Sequence, residues 1–234
     1  MRNQEFINKI APAAVEDMMN TGVLASITIA QAALESAWGQ SAPGNNLFGI
    51  KGSGTTQTTK EFINGVWVTI NAGFRSYQDW FGSITDHSKF LLENPRYRNA
   101  GFFDQCSAMD YAGAARALQA AGYATDPQYA TKIVGIIESN WLQQFDQEAD
   151  NMLREIEELK GQIQTLLNTA EVHIEKISAL EAKTSMAVPE WAKEAVIAAS
   201  TTFCRDGRPL IDTPDGSSYD FYRLLTTIHR KGLI

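Results

Sequence analysis

The feature that most constrains the fold is a heptad run over residues 147–187. Apolar side chains recur there at alternating spacings of four and three. Ile156, Ile163, Ala170 and Ile177 take the a positions, and Met152, Leu159, Leu166, His173 and Leu180 the d positions. Sustained over more than four heptads, this spacing predicts one long helix with an apolar seam. Isoleucine at a with leucine at d favours parallel pairing. Glu155 would meet Lys160 of a second copy, and Lys176 would meet Glu181. Leu153, Leu167 and Ile174 fall at e and widen the apolar face, which leaves room for a higher oligomer or for packing on another part of the chain. The expectation is a homo-oligomer formed through residues 149–183, set against a single amphipathic linker helix. His173 reads as a polar seam residue rather than a metal ligand, because no cysteine or second histidine stands nearby.

The run divides the 234 residues into three segments: 1–146, the helix at 147–187, and a small module at 188–234. The first reads as mainly α. Helices are predicted over Glu5–Met19, Val23–Trp38 (closed by Gly39), Gln78–Glu93, Ala108–Ala121, and from Asp126-Pro127 to about Trp141, with proline at the first helical position. Between the second and third the period changes to two. Thr58–Ile63 and Val66–Ile70 flank Asn64-Gly65, the signature of a two-residue hairpin turn. That turn pairs Ile63 with Val66, Phe62 with Trp67 and Glu61 with Val68. The last segment opens at Val188-Pro189, with helices at Glu190–Ala199 and Ser218–His229 and an apolar side of Leu224, Leu225 and Ile228. Under 50 residues, it has little core of its own.

Composition excludes several functions. The net charge is −7 with no basic patch, so nucleic acid is not an expected partner. No apolar run reaches the roughly 18 residues that span a bilayer, so membrane insertion is not expected. Met1–Ile10 is mixed and polar, without the pattern of a secretory signal. Delivery to a substrate outside the membrane would then need another route, such as release through a phage-made (holin-type) pore. Cys106 and Cys204 lie far apart and read as free thiols.

The chemistry points to Glu35. Its helix is apolar through Leu24, Ile27, Ile29, Ala30, Ala32, Ala33 and Leu34, and has no lysine or arginine to pair with the carboxylate. Residues 28, 31, 35 and 38 share one stripe. Apolar surroundings destabilise the charged form and raise the pKa. A carboxyl still protonated near neutrality can donate to a leaving glycosidic oxygen. Taken alone, Glu35 reads more readily as a helix-surface glutamate, since most glutamates are exposed. Glu61 is a second carboxylate, on the hairpin. Phe48, Tyr77, Trp80, Tyr123 and Tyr129 have flat faces suited to sugar rings, or to a core. Tyr123 and Tyr129 stand out because they flank the Thr125-Asp126-Pro127 turn. Asn46 either binds substrate or shapes its turn.

Gln31-Ala32-Ala33-Leu34-Glu35-Ser36-Ala37-Trp38-Gly39 followed by Asn45-Asn46-Leu47-Phe48-Gly49-Ile50-Lys51 resembles glycoside hydrolase family 73. Glu61 to Val68, Phe74-Arg75-Ser76-Tyr77 and Gly122-Tyr123-Ala124-Thr125-Asp126-Pro127-Gln128-Tyr129-Ala130 match it in order. The resemblance covers roughly residues 5–146. It implies a lysozyme-like helical domain with a small β-lobe. It also implies cleavage of peptidoglycan at the β-1,4 bond after N-acetylglucosamine, without metal or organic cofactor. Glu35 takes the general-acid position, Glu61 the β-lobe carboxylate position, and Tyr123 a tyrosine position near the scissile bond. Two routes to the second step stay open: water activated by Glu61, with inversion, or attack by the substrate's own N-acetyl group, with retention. Muramidase activity on the same fold, a glycan-binding domain that does not cut, and a structural wall or phage-tail protein are the rival readings. Glu190–Ala195 and Tyr219–Leu225 look similar to tails of phage and Gram-positive lysins, which implies wall attachment or assembly.

Overall fold

The computed structural model describes residues 3–63 and 66–234. The chain forms two compact units, Met1–Glu157 and Glu158–Ile234, divided inside one helix. In the first, α1 (Asn3–Thr21), α2 (Ala25–Glu35) and a short 3-10 turn at Pro43–Asn45 precede a hairpin of β1 (Gly54–Ile63) and β2 (Val66–Arg75). Then come α3 (Trp80–Glu93), α4 (Pro95–Asn99), α5 (Phe102–Ser107), α6 (Tyr111–Ala120), α7 (Tyr129–Ser139) and the start of α8 (Gln143–Thr184). The architecture is mostly helical with one small antiparallel sheet, as the sequence predicts.

Helix α2 forms the centre of this unit. Ala25 through Ala33 are all buried, the polar Ser26, Thr28 and Gln31 among them, so protein encloses this stretch of the helix on every side. Helices α1 and α7 both pack on it, with Phe6, Ile10, Leu118, Ile133 and Ile137 among the core residues. Its first turn has no local side-chain cap. The cap comes instead from Asp146, in the first turn of α8, whose carboxylate accepts the Ser26 N–H at 2.8 Å.

Asp146 is 3% exposed. Burial, opposed by the bonds from Ser26 and Ala25, pushes its pKa up to about 6. The folded pKa lies above the ordinary aspartate value of about 4. The stability this group contributes is therefore complete below about pH 4 and is lost as pH rises through about 6, on the order of 3 kcal/mol. Asp146→Asn keeps an oxygen for the Ser26 N–H and carries no charge. Its Tm relative to wild type should rise between pH 4 and 7. A difference in Tm that stays flat with pH would rule out this account.

The hairpin keeps the expected register: Glu61 opposite Val68, Phe62 opposite Trp67, Ile63 opposite Val66. The Asn64-Gly65 turn lies outside the described residues, as does the side chain of Glu61. Both strands extend beyond the predicted ends, so that Phe74 and Arg75 belong to β2. Two short helices, α4 and α5, were not predicted. Helix α7 begins at Tyr129 rather than at Pro127, because the Asp126 carboxylate accepts the Gln128 N–H at 2.9 Å and closes a turn first.

Helix α8 is continuous for 42 residues. Its seam side chains are open to solvent, from Ile156 at 38% to Leu166 at 69%. In the second unit, a 3-10 turn at Glu190–Ala192 leads into α9 (Lys193–Thr201), and α10 (Tyr219–Arg230) packs on both. Its core is small: Ala192, Ala195, Val196, Ala199, Tyr222 and Leu225. The Tyr222 hydroxyl ties it together by donating to the Pro214 carbonyl at 2.7 Å. Leu224, expected on the apolar side, is 62% exposed; the buried stripe runs through Tyr222, Leu225 and Thr226. Cys106 is buried, Cys204 is exposed, and both are free. No helix among the described residues is long and apolar enough to cross a membrane.

Candidate active site around Glu35

Glu35 is the last residue of α2, three residues short of the predicted end. Ala37 and Trp38, at φ 51° and 60°, and Gly39, at φ 75°, form a left-handed run directly after it. That conformation is costly for non-glycine residues and gathers at functional sites. Buried Ser36 clasps the turn. Its hydroxyl donates to the Ala32 carbonyl at 2.6 Å and accepts the Gly39 N–H at 2.8 Å. Trp38 packs edge-on against Phe6. A Cβ on Gly39 would come within 2.7 Å of Trp80 and 2.9 Å of Phe6, so close packing as well as φ requires glycine there.

The Glu35 side chain is open to solvent on one side. Its pKa is nevertheless raised, because the protein surrounding the remainder desolvates the charge. The Tyr129 hydroxyl, donating to Oε1 at 3.1 Å, acts in the opposite direction. The C-terminal end of α2 carries partial negative charge and also disfavours an anion. Gln31, one turn earlier and fully buried, donates from Nε2 to the Tyr129 hydroxyl at 2.9 Å. Tyr123 stacks on Tyr129, with ring centroids 5.7 Å apart and planes 26° apart. Its own pKa is raised well above the ordinary tyrosine value, mainly by burial, with the charges of Tyr129 and Glu35 adding. Glu35, Tyr123 and Tyr129 are thus brought together, joined by Gln31.

The other predicted site residues divide differently. Tyr129 is 2% exposed and Phe48 4%, and Phe48 stacks on buried His87 at 3.9 Å. Neither ring offers an open face, which corrects the expectation of sugar platforms. Asn46 is corrected too. Its Nδ2 donates to the carbonyls of Ile50 and Arg75, both at 3.0 Å, and its Oδ1 accepts the N–H groups of Phe48 and Ile50. An amide side chain makes four hydrogen bonds, so none is left for substrate. Half-buried Tyr77 donates to Asp86 at 2.6 Å, and Asp86 also pairs with Arg75 at 2.7 Å; this cluster braces the exit of β2. Trp80 carries the Lys9 ammonium 3.6 Å from its ring centroid and packs on Phe6.

Sequence reasoning missed the pairing of Gln31 with Tyr129, the fully buried His87, and the Asp86 cluster. A groove of about 400 Å³ between α1 and the start of α8, lined by Val15, Met19, Phe145 and Met152 among others, shares no residue with the Glu35 cluster. No group of metal-ligating side chains occurs among the described residues.

Comparison with known proteins gives consistent results. Residues 11–172 match the family described as mannosyl-glycoprotein endo-beta-N-acetylglucosaminidase. The exo-glucosaminidase LytG of Bacillus subtilis is 41% identical over 151 residues, which is 62% of this chain and 54% of that protein. The peptidoglycan hydrolase FlgJ of Vibrio cholerae is 40% identical over 147 residues, 56% of this chain and 42% of that one. The chain therefore spans about half the length of these relatives. Among solved structures, the catalytic domain of the autolysin Auto from Listeria monocytogenes aligns with TM-score 0.54 at 37% identity, covering 61% of this chain and 86% of that domain. A peptidoglycan hydrolase mutant from Sphingomonas sp. A1 aligns with TM-score 0.52 at 34% identity, covering 61% and 97%.

Proposed function

The chain belongs to the glucosaminidase family, and we propose from this that it hydrolyses peptidoglycan at the cell wall, cutting the β-1,4 bond after N-acetylglucosamine with Glu35 as general acid. The observation that carries the proposal is the Glu35 carboxyl itself. It ends a buried helix, has a raised pKa, pairs with no cation among the described residues, and is held by a tyrosine. In the first step protonated Glu35 gives its proton to the glycosidic oxygen as the C1–O bond breaks. Tyr123 stacks on Tyr129 beside the acid and takes the tyrosine position that the family resemblance puts near the bond to be cut. Water then completes the hydrolysis at C1, either activated by Glu61 or after attack by the substrate's N-acetyl oxygen.

Digestion of purified peptidoglycan, borohydride reduction and mass analysis of the fragments test the reading. Reduced N-acetylglucosamine ends are expected. Reduced N-acetylmuramic acid ends would move the cleaved bond, and no new ends on several wall types would leave a binding or structural role.

The same proposal extends to assembly. The apolar seam of α8 is open along its length, and an exposed stripe of this size marks an interaction surface. A second copy is the occupant that fits best. The g-to-e pairs Glu155 with Lys160 and Lys176 with Glu181 become complementary in a parallel arrangement. Sedimentation equilibrium should find an oligomer that Ile163→Lys with Leu166→Lys converts to monomer; a monomeric wild-type chain would overturn it. For the module at 188–234, with its lysin-like Glu190–Ala195 and Tyr219–Leu225 segments, we propose wall attachment or assembly.

A further inference from the structure

The sequence offers Tyr129 as a flat face for sugar, yet the structure buries it with its hydroxyl between two side chains of α2. Gln31 and Glu35 are four residues apart and lie one above the other on that helix. The Tyr129 hydroxyl enters between them from the first turn of α7. Gln31 donates to the phenolic oxygen at 2.9 Å. The phenol's single proton is then left to point at Glu35 Oε1, 3.1 Å away.

We propose that Tyr129, aligned by Gln31, is a positioning residue for the acid: it occupies Oε1 and leaves Oε2 as the oxygen that carries and delivers the proton. The proposal rests on Glu35 being the general acid.

The chemistry favours such an arrangement. A carboxylic acid has one protonated oxygen and one carbonyl-like oxygen. A fixed donor at Oε1 selects the tautomer with the proton on Oε2, so the reacting oxygen does not have to be found by rotation of the carboxyl. Orientation of a reacting group contributes directly to rate. A hydrogen bond to a carboxylate is about twice as strong as one to a neutral acceptor. The Tyr129 bond therefore strengthens as the proton leaves, and assists the step. It also opposes the effect of burial on the Glu35 pKa, holding the acid strong enough to give up its proton. Gln31 matters because a phenol without it would be free to turn its proton elsewhere. Stacking of Tyr123 against Tyr129 fixes the plane of the phenol.

Tyr129→Phe tests the proposal, since it removes only the hydroxyl and keeps the ring under Tyr123. Two quantities are read on the full chain: kcat and KM on peptidoglycan fragments, and the Glu35 carboxyl titration by 13C NMR, assigned with Glu35→Gln. In Tyr129→Phe, kcat should fall about tenfold or more, with KM little changed, and the Glu35 pKa should rise. Gln31→Leu should shift both quantities in the same direction by less. If Tyr129→Phe does not fold, Gln31→Leu reads the same two quantities with the phenol in place. An unchanged titration overturns the proposal whatever happens to activity, because a packing role alone would leave the carboxyl unaffected. An unchanged kcat overturns it too. Failure of the underlying reading looks different: Glu35→Gln would itself retain activity.

Discussion

Glu35→Gln is expected to lower kcat on peptidoglycan about a thousandfold or more, the upper part of the range for losing a general acid. The amide keeps the size and shape of the carboxyl and can still accept from the Tyr129 hydroxyl, which now donates at 3.1 Å. It has no proton to give the glycosidic oxygen. Folding should be unimpaired, because the substitution removes a charge that the surrounding protein and the C-terminal end of α2 both disfavour. Tm should be unchanged or slightly raised, which separates lost chemistry from lost structure. In the wild type, activity should decline as pH rises through the Glu35 pKa, which lies above the usual carboxylate range, since only the protonated form works. Glu61→Gln makes the comparison informative. If the substrate's N-acetyl group is the nucleophile, that variant should lose much less than Glu35→Gln, and the first product should retain its anomeric configuration. Equal losses with inversion would assign Glu61 as the base. A Glu35→Gln protein that still releases fragments at the wild-type rate would remove Glu35 from the acid role.

Much of this site was legible in the sequence because its parts are local. The apolar run around Leu34 predicts a buried helix, the lack of a basic residue on that helix predicts a carboxyl without a cation partner, and the strand pattern around Asn64-Gly65 predicts the register seen in the Glu61–Val68 pairing. What escaped depends on contacts distant in the chain. The sequence predicts helix α2 through to Trp38, since nothing in Ala37 or Trp38 announces a left-handed conformation. The turn is held by Ser36 and by Trp38 packing on Phe6. Tyr129 looked like a sugar platform because a tyrosine near a turn has no local signal for where its hydroxyl points, and its partners are 94 and 98 residues away. The cap from Asp146 to Ser26 spans 120 residues. Helices α4 and α5, at five and six residues, are too short to develop a readable apolar period. Leu224 and Leu225 are adjacent and equally apolar, and only the packing of α10 on α9 decides that Leu225 is inside.

Asn46→Ala should be the most destabilising of the substitutions considered, although asparagine before Leu-Phe-Gly first suggests contact with substrate. Its side chain is 5% exposed and serves as a four-way clamp at the root of the hairpin. It joins the Phe48–Ile50 turn to the end of β2 through the Arg75 carbonyl. Alanine leaves the buried Ile50 carbonyl, the part-buried Arg75 carbonyl and two buried N–H groups without these partners. At about 1 kcal/mol for each bond, the loss is about 4 kcal/mol, a fall in Tm on the order of 10 °C for a unit of this size. Activity should fall as well, at temperatures where the variant is still folded, because the hairpin that carries Glu61 is no longer fixed at its base. Asn46→Asp should rescue little. A carboxylate retains the acceptor bonds to the Phe48 and Ile50 N–H groups but has no donor for the carbonyls of Ile50 and Arg75, and it sets a negative charge 3.0 Å from each. Thermal melts and steady-state kinetics on both variants distinguish the clamp from a binding residue. A clamp lowers Tm in both and reduces kcat through the displaced lobe. If Asn46→Ala instead kept the wild-type Tm and raised only KM, the amide would belong to the substrate after all, and its four bonds would have to be exchanged on binding.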